Sequence, residues 1–176
     1  KAPQCSIALI EREEYIGGIL KQCIHDGFGL IRFKERLTGP EYAWRYRDML
    51  AQHSNIDIFV STFVIRIVQQ NGGGFELTFT NPQNGIFTLS CTALISATGC
   101  RERTDRQVFI HGDRPSGVFT AGQAQAFINL KGYLPGKRFV ILGSGDIGLI
   151  MARRLTLETA SVGGSVEGVY EVKSEP

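Results

Sequence analysis

Three glycines towards the end of the sequence have the spacing of a turn that binds phosphate groups. Gly143, Gly145 and Gly148 follow the pattern G-x-G-x-x-G. In this pattern the first glycine allows a tight bend, the second leaves room for a pyrophosphate, and the third lets a helix pack closely on a strand. The spacing predicts a dinucleotide-binding turn, against the alternative of an ordinary corner between a strand and a helix. The predicted contacts come from the whole turn, Gly143, Ser144, Gly145, Asp146, Ile147 and Gly148.

The residues on either side of the turn have the periodicities that such a site requires. Arg138–Leu142 is a short apolar run typical of a buried parallel strand, and apolar residues recur at helical spacing from Ile147 to Leu155. A second strand is predicted over Val166–Val172. Glu171, near its end, is a candidate acceptor for the hydroxyls of an adenosine ribose, which would favour NAD. Lys173 would instead favour the 2′-phosphate of NADP, so both nucleotides stay open.

Charge and hydropathy argue against several classes of partner. The net charge is +2 and the two signs are interspersed, whereas a nucleic-acid-binding surface gathers basic residues on one face. The densest basic stretch, Arg101–Arg106, contains its own acidic residues, so a solvated loop is favoured over a phosphate clamp. No apolar run approaches the ~20 residues of a membrane span, and no secretory leader opens the sequence. We therefore predict a cytoplasmic protein without nucleic-acid or membrane partners.

The four cysteines, Cys5, Cys23, Cys91 and Cys100, are widely separated. They form no C-x-x-C pair and no pattern of zinc ligands, so neither a redox pair nor a metal site is predicted. In a reducing compartment the expectation is four free thiols, mostly packed as small apolar side chains.

The first half of the sequence alternates between strand and helix patterns. The first strand, Ile7–Ile10, ends at Glu11 with no glycine turn before it, so we expect an incomplete domain. A helix is predicted from Thr38, the cap, to near His53, with Glu41 returning the capping bond. Period-two alternation then predicts a parallel strand followed by an antiparallel β-meander. The segments are Ile56–Val60, Val64–Val68, Phe75–Phe79 and Ile86–Cys91.

Two further segments connect these patterns to the glycine turn. Ala93–Ala97 is predicted as an apolar strand that runs into Thr98 and Gly99. Gln107–Gly136, which contains several glycines, is predicted to be the passage between two domains.

Taken in order, these motifs resemble the two-dinucleotide flavoproteins of the pyridine nucleotide–disulfide oxidoreductase superfamily. The stretches "GGILKQCIHDGFG", "LTGPEYA", "ATGCRERT" and "GYLPGKRFVILGSGDIGLIMARRLTLE" are similar to a branch of NAD(P)/FAD-dependent oxidoreductases near the flavoprotein subunits of amine, opine and hydroxyproline dehydrogenases. The resemblance implies an α/β fold with Rossmann-like three-layer domains and an antiparallel β-meander. Residues 1–116 would be part of an FAD-binding domain and residues 117–176 the beginning of an NAD(P)-binding domain, both incomplete.

The resemblance also implies where FAD would bind. Glu11 would meet the adenosine ribose beside Arg12, Gly17 and Gly18 would pass near the pyrophosphate or flavin, and a small residue would be needed where the chain closes over the cofactor. That closing position is Thr98 and Gly99. The implied activity is hydride transfer between NAD(P)H and flavin, with a small molecule as the final electron donor or acceptor. No catalytic acid or base is assigned.

The sequence departs from the superfamily pattern at its redox cysteines. Disulfide reductases carry a cysteine pair after the double glycine, but Cys23 stands alone, and the thioredoxin reductase position reads Thr120–Gln125 without cysteine. We therefore predict no dithiol relay. A buried structural thiol is favoured over a catalytic role for Cys23, and a loop imidazole satisfied by the backbone is favoured over a general base for His25.

Two other functional classes stay open. The chain could be a stand-alone module that binds or senses NAD(H) without turnover. It could also be a non-catalytic subunit piece that self-associates or binds a partner subunit, because an incomplete parallel sheet leaves a strand edge unpaired.

Overall fold

A computed structural model describes residues 5–113 and 115–172 and has a mixed α/β fold. The strands are β1 (Ile7–Ile10), β2 (Asp26–Phe28), β3 (Leu37–Thr38), β4 (Ile56–Phe59), β5 (Phe63–Gln69), β6 (Phe75–Asn81), β7 (Gly85–Cys91), β8 (Arg138–Leu142) and β9 (Ser165–Tyr170). The α-helices are α1 (Gly39–Ala51), α2 (Ala121–Lys131) and α3 (Asp146–Ala160). Short 3₁₀ helices lie at Gly18–Gln22 and Arg106–Val108. The strands form small sheets of two or three members.

The chain divides into two compact units. The first contains the residues up to Leu20 together with Pro40–Gly99, and the second contains Lys21–Gly39 together with the residues from Cys100 onward. The division predicted between residues 116 and 117 concerns cofactor binding, which compactness does not test, and it stays a prediction.

The first unit contains a parallel strand pair and the meander. β1 pairs with β4 in parallel, from Ile7 opposite Ile56 to Ile10 opposite Phe59. Strands β5, β6 and β7 form the antiparallel sheet, as the alternation predicts. Its central strand carries the most deeply buried aromatic side chain, Phe79, whose ring centroid lies 5.4 Å from that of Phe87.

The second unit is built around β8 and β9, which also pair in parallel. Phe139 and Ile141 on β8 alternate with exposed neighbours, and their side chains pack on a core formed by α2 and α3. That core consists of Ala124, Ile128, Met151 and Leu155. Alternate residues of β8 therefore pack against residues four apart on α2 and on α3, on one side of the β8–β9 pair.

Helix α2 lies inside the segment predicted to be a connector, so that prediction is wrong there. Thr120 caps the helix by accepting a hydrogen bond from the Gln123 amide, and the Gln123 side chain accepts one from the Thr120 amide. Gly132 closes the other end in the left-handed conformation, with φ of 62°. This capping box and glycine stop are readable in the sequence and outweigh the turn signals around them.

The strand predicted over Ala93–Ala97 is also wrong, because these residues belong to no helix or strand. Ile95 is 88% exposed. Apolar composition alone does not make a strand, since its backbone groups need a neighbouring strand to pair with. The helix predicted from Thr38 is confirmed as α1, although Thr38 itself ends β3 and the helix begins at Gly39.

Within residues 5–113 and 115–172, none of the helices combines the length and the apolar character needed to cross a membrane.

Candidate functional site

The predicted glycine turn joins the end of β8 to the start of α3. Gly143 has φ of 102°, a conformation that favours glycine, and its amide donates a 2.7 Å hydrogen bond to the carbonyl of Tyr170 at the end of β9. Gly145 is the N-cap residue of α3 in an extended conformation, with φ of −62°, and no side chain caps the helix. The first amides of an α-helix have no partner within the helix, so this end can donate hydrogen bonds to an anion.

The second and third glycines of the motif differ in what surrounds them. A Cβ atom added at Gly148 would collide with the carbonyl oxygen of Gly143, so the approach of α3 to the turn requires glycine there. A Cβ atom added at Gly145 would meet nothing within 4 Å, and its backbone conformation suits any residue. In the described part of the chain, no contact of the fold requires glycine at position 145.

The carboxylate of Glu171 lies against the glycine turn. Its Oε2 atom accepts hydrogen bonds from both the amide and the hydroxyl of Ser144, each at 2.9 Å, and its Oε1 atom accepts one of 2.8 Å from the Val172 amide. Glu171 directly follows β9, which ends at Tyr170. The structure therefore brings together the acid and the glycine turn that the sequence assigned to one nucleotide site. Lys173, the alternative that would favour NADP, lies outside the described residues.

The other turn positions, Asp146 and Ile147, form the first turn of α3. Asp146 places a carboxylate at the positive end of the helix dipole, which stabilises the helix. That carboxylate also adds negative charge where a pyrophosphate would have to bind. Ile147 is 48% exposed.

The residues predicted to bind FAD all lie in the first unit. Glu11 follows β1, and its Oε1 atom accepts a 2.8 Å hydrogen bond from the amide of Glu13, two residues away. Arg12 is exposed beside it. Gly17 and Gly18 both have positive φ, 128° and 53°, as a tight bend requires. Thr98 and Gly99 are exposed and lie outside any helix or strand, and a Cβ atom at Gly99 would meet nothing within 4 Å.

A buried polar cluster in the second unit was not predicted. The Gln22 side-chain amide donates to the carbonyl of Gly122 and to Oε1 of Gln125, both at 3.1 Å. Asn129 donates to the Gln22 carbonyl at 2.7 Å and accepts from Arg154 at 3.2 Å. The sequence of α2 contains a signal of this cluster, because the polar Gln125 lies three residues before the buried Ile128 and thus on the apolar face of the helix.

Cys23 and His25 follow Gln22 and have different environments. Cys23 is buried and its Sγ lies 4.0 Å from Oε1 of Gln125. Burial raises the pKa of the Cys23 thiol, so the predicted buried, unreactive thiol is confirmed in its burial. The prediction for His25 is wrong, because its Nδ1 atom is buried and has no hydrogen-bond partner within the described ranges. Its ring lies against Phe28 instead, at a centroid distance of 5.3 Å.

The cysteines and the basic stretch differ in their exposure and contacts. All four cysteines are free, but Cys5 and Cys100 are exposed, so the expectation that most thiols are packed is wrong for these two. In the basic stretch, Glu102 accepts a hydrogen bond from the Thr120 hydroxyl at 3.1 Å. Arg106 lines a recess of about 310 Å³ together with Ile110, His111 and Gly112.

The fold and this site define an α/β protein with an assembled strand, glycine turn, helix and strand. The chain is similar to a crystal structure of L-proline dehydrogenase from P. horikoshii, with a TM-score of 0.63 and 17% sequence identity over 95% of this chain. It spans 30% of that dehydrogenase chain. No protein-family model and no curated protein sequence matches the chain. The likeness shows that the two proteins share a fold over this part.

Proposed function

We propose that this chain is part of an FAD-dependent oxidoreductase that transfers hydride between NAD(P)H and flavin without a redox-active disulfide. The observation that carries the proposal is the glycine turn between β8 and α3, with the Glu171 carboxylate bound to Ser144 at its edge. The fold shared with a dehydrogenase supports an oxidoreductase. The whole protein's substrate is a small electron donor or acceptor, and the cellular location is the cytoplasm.

The nicotinamide nucleotide is assigned to the glycine turn. The first amides of α3 have no partner within the helix and no side-chain cap among the described residues, which suits a pyrophosphate, and the open space at Gly145 leaves room for it beside the backbone. Glu171 provides the carboxylate for the adenosine ribose at the adjacent strand end. Ser144, Asp146 and Ile147 line the same turn.

FAD is assigned to the residues after β1. Glu11 directly follows β1 as Glu171 directly follows β9, and Gly17 and Gly18 have backbone conformations that allow a bend beyond Glu11. Arg12, Thr98 and Gly99 complete the assignment from family resemblance. When bound, FAD supplies the two-electron chemistry, while the protein positions it and sets its electrostatic environment.

The absence of a dithiol step from the proposal rests on Cys23. A thiolate is the reactive form in disulfide exchange, and burial raises the pKa of Cys23, which keeps the thiol protonated at neutral pH. The pattern of cysteines supplies no partner at the superfamily's spacing.

The decisive experiment compares nucleotide binding by the wild-type chain and the Gly145→Ala variant using calorimetry with NADH. The fold leaves space for the new methyl group, so the variant should lose at most about 1 kcal/mol of folding stability, from the weaker capping preference of alanine. A bound pyrophosphate needs that space, so we expect NADH affinity to fall at least tenfold. Gly112→Ala is unsuitable as a control because its φ is 128°, whereas Gly72→Ala, in open space at ordinary φ, is a matched one. Equal NADH affinity in wild type and Gly145→Ala would contradict the assignment.

A second candidate function is a module that binds or senses NAD(H) without turnover. It is favoured by the contrast between the assembled turn around Ser144 and the exposed Thr98 and Gly99, which belong to no helix or strand. Adding FAD to the chain separates the two proposals. Flavin binding that produces a visible absorbance band, bleached by NADH, supports the oxidoreductase, while NADH binding with no FAD uptake supports the sensor.

A further inference from the structure

The geometry points to Ser144 as a positioning residue, which holds the Glu171 carboxylate so that the site selects NAD(H) over NADP(H). This inference rests on the nucleotide site of the proposed function and adds to it the residue that sets the choice between the two nucleotides. Ser144 occupies the variable position between the first two glycines of the motif, where the spacing rule demands no particular side chain.

Three hydrogen bonds hold the Glu171 carboxylate. The Ser144 amide and hydroxyl both donate to Oε2 of Glu171 at 2.9 Å, and the Val172 amide donates to Oε1 at 2.8 Å. Glu171 is exposed, so without these contacts its side chain would sample several rotamers. The strand ends beneath it are also held together, since the Gly143 amide donates to the Tyr170 carbonyl. The carboxylate therefore has one position relative to the turn.

A fixed carboxylate distinguishes the two nucleotides by charge and hydrogen bonding. A carboxylate accepts hydrogen bonds and donates none, so the 2′-hydroxyl of NADH is the kind of donor that suits Glu171. The 2′-phosphate of NADPH donates no such bond at neutral pH and carries charge of the same sign, which costs affinity at close range. The discrimination depends on the carboxylate staying beside the turn, because a rotated side chain would let the phosphate occupy its place.

The test measures affinities for NADH and for NADPH in the 176-residue chain, and uses their ratio as the readout. Ser144→Ala removes the hydroxyl bond and leaves the amide bond, and we expect the preference for NADH to fall about 3- to 10-fold. Glu171→Gln removes the charge and should reduce the preference further. Ser144→Thr keeps a hydroxyl and should restore most of the wild-type ratio.

The matched control is Ser165→Ala. Ser165 also donates its hydroxyl to a glutamate, Glu167, but at the start of β9 and away from the turn. This variant should leave the NADH to NADPH ratio unchanged. A purely structural role for Ser144 would lower both affinities together without changing their ratio, and that result would overturn the inference.

The outcomes separate this inference from the proposed function. NADH binding with the same ratio in wild type and Ser144→Ala would overturn the positioning role and leave the nucleotide site intact. Binding of neither nucleotide by the wild-type chain would overturn the site and the inference together. The contact itself is tested without nucleotide by NMR, because the Ser144 amide resonance should follow the titration of the Glu171 carboxylate and lose that pH dependence in Glu171→Gln.

Discussion

The two parallel strand pairs each have a glutamate directly after one of their strands, but within the described residues only the second pair has a glycine turn in contact with that glutamate. Glu171 reaches back 27 residues to Ser144, whereas Glu11 bonds to an amide two residues ahead of it. The β8–β9 pair is backed by Met151 and Leu155, which are 2% and 3% exposed, while Ile7 and Ile58 in the β1–β4 pair are 45% and 39% exposed. A glutamate directly after a strand therefore does not by itself bring a glycine turn against its carboxylate. At the end of β9, the glycine turn before α3 places two hydrogen-bond donors of Ser144 beside the Glu171 carboxylate.

The largest effect on the difference between the two strand pairs is expected when a buried side chain of α3 behind β8–β9 is shortened. Met151→Ala should lower the free energy of unfolding of the second unit by about 2–5 kcal/mol, as expected for a large buried side chain. Val140→Ala is the control, because Val140 lies on the same strand pair but is 57% exposed. Urea denaturation followed by circular dichroism gives both values. Equal losses in the two variants would show that α3 does not support the sheet as described.

Gly148→Ala tests the close approach of α3 to the turn. The added methyl group meets the carbonyl oxygen of Gly143, so the helix start must shift at a cost of about 1–3 kcal/mol. Thermal unfolding measures the loss. Gly145→Ala in the same turn should cost less, and a reversed order of the two variants would contradict the packing at this corner.

Cysteine reactivity should differ between the start of the first unit, at Cys5, and the buried segment of the second unit at Cys23. Cys5 lies exposed just before β1, and Cys23 is buried with a raised pKa. Alkylation by iodoacetamide at pH 8, quantified by mass spectrometry, should therefore be at least about tenfold slower at Cys23. Equal rates in the folded protein would contradict the burial of this segment. In denaturant the rates should converge, which controls for intrinsic differences between the thiols.

The smallest expected effect concerns the ion pair across the β8–β9 strands. Arg138 bonds to Glu167 at 2.8 Å, and this hydrogen bond, with that from Ser165, lowers the pKa of Glu167 to about 2. A lowered pKa adds stability above the ordinary carboxyl pKa, and this contribution is lost as the pH falls from about 4.5 towards 2. The stability difference between wild type and Arg138→Met should thus shrink over this pH range. If thermal unfolding gives a stability difference that does not change with pH, Arg138 does not lower the pKa of Glu167 as described.

The sequence predicted the elements whose signals are local. The glycine spacing, the flanking strand and the helical periodicity all lie within residues 138–155, and the structure has β8 and α3 there. Helix α2 could also have been found, because Thr120 and Gln123 form a capping box and Gly132 ends the helix. The glycines around it predict a connector instead, and they hide the capping signals.

Features that depend on distant pairing could not be read in the same way. The apolar run Ala93–Ala97 has strand composition, but its conformation depends on a neighbouring strand. The contact of Glu171 with Ser144 depends on the length of α3 and on the register of β9 against β8, neither of which follows from motif spacing. The link from Gln22 to Gln125 joins residues 103 positions apart. The motif therefore located the candidate site, while its internal contacts required the fold.

The contrast between Gly145 and Gly148 also has an evolutionary consequence. Folding alone constrains position 148, so glycine should persist there even in descendants that have lost their ligand. Position 145 is free of that constraint, and drift should replace its glycine soon after selection for binding is relaxed. If the turn binds a nucleotide as proposed, the pattern of substitution at these two sites, three residues apart, would thus record whether a lineage still binds one there.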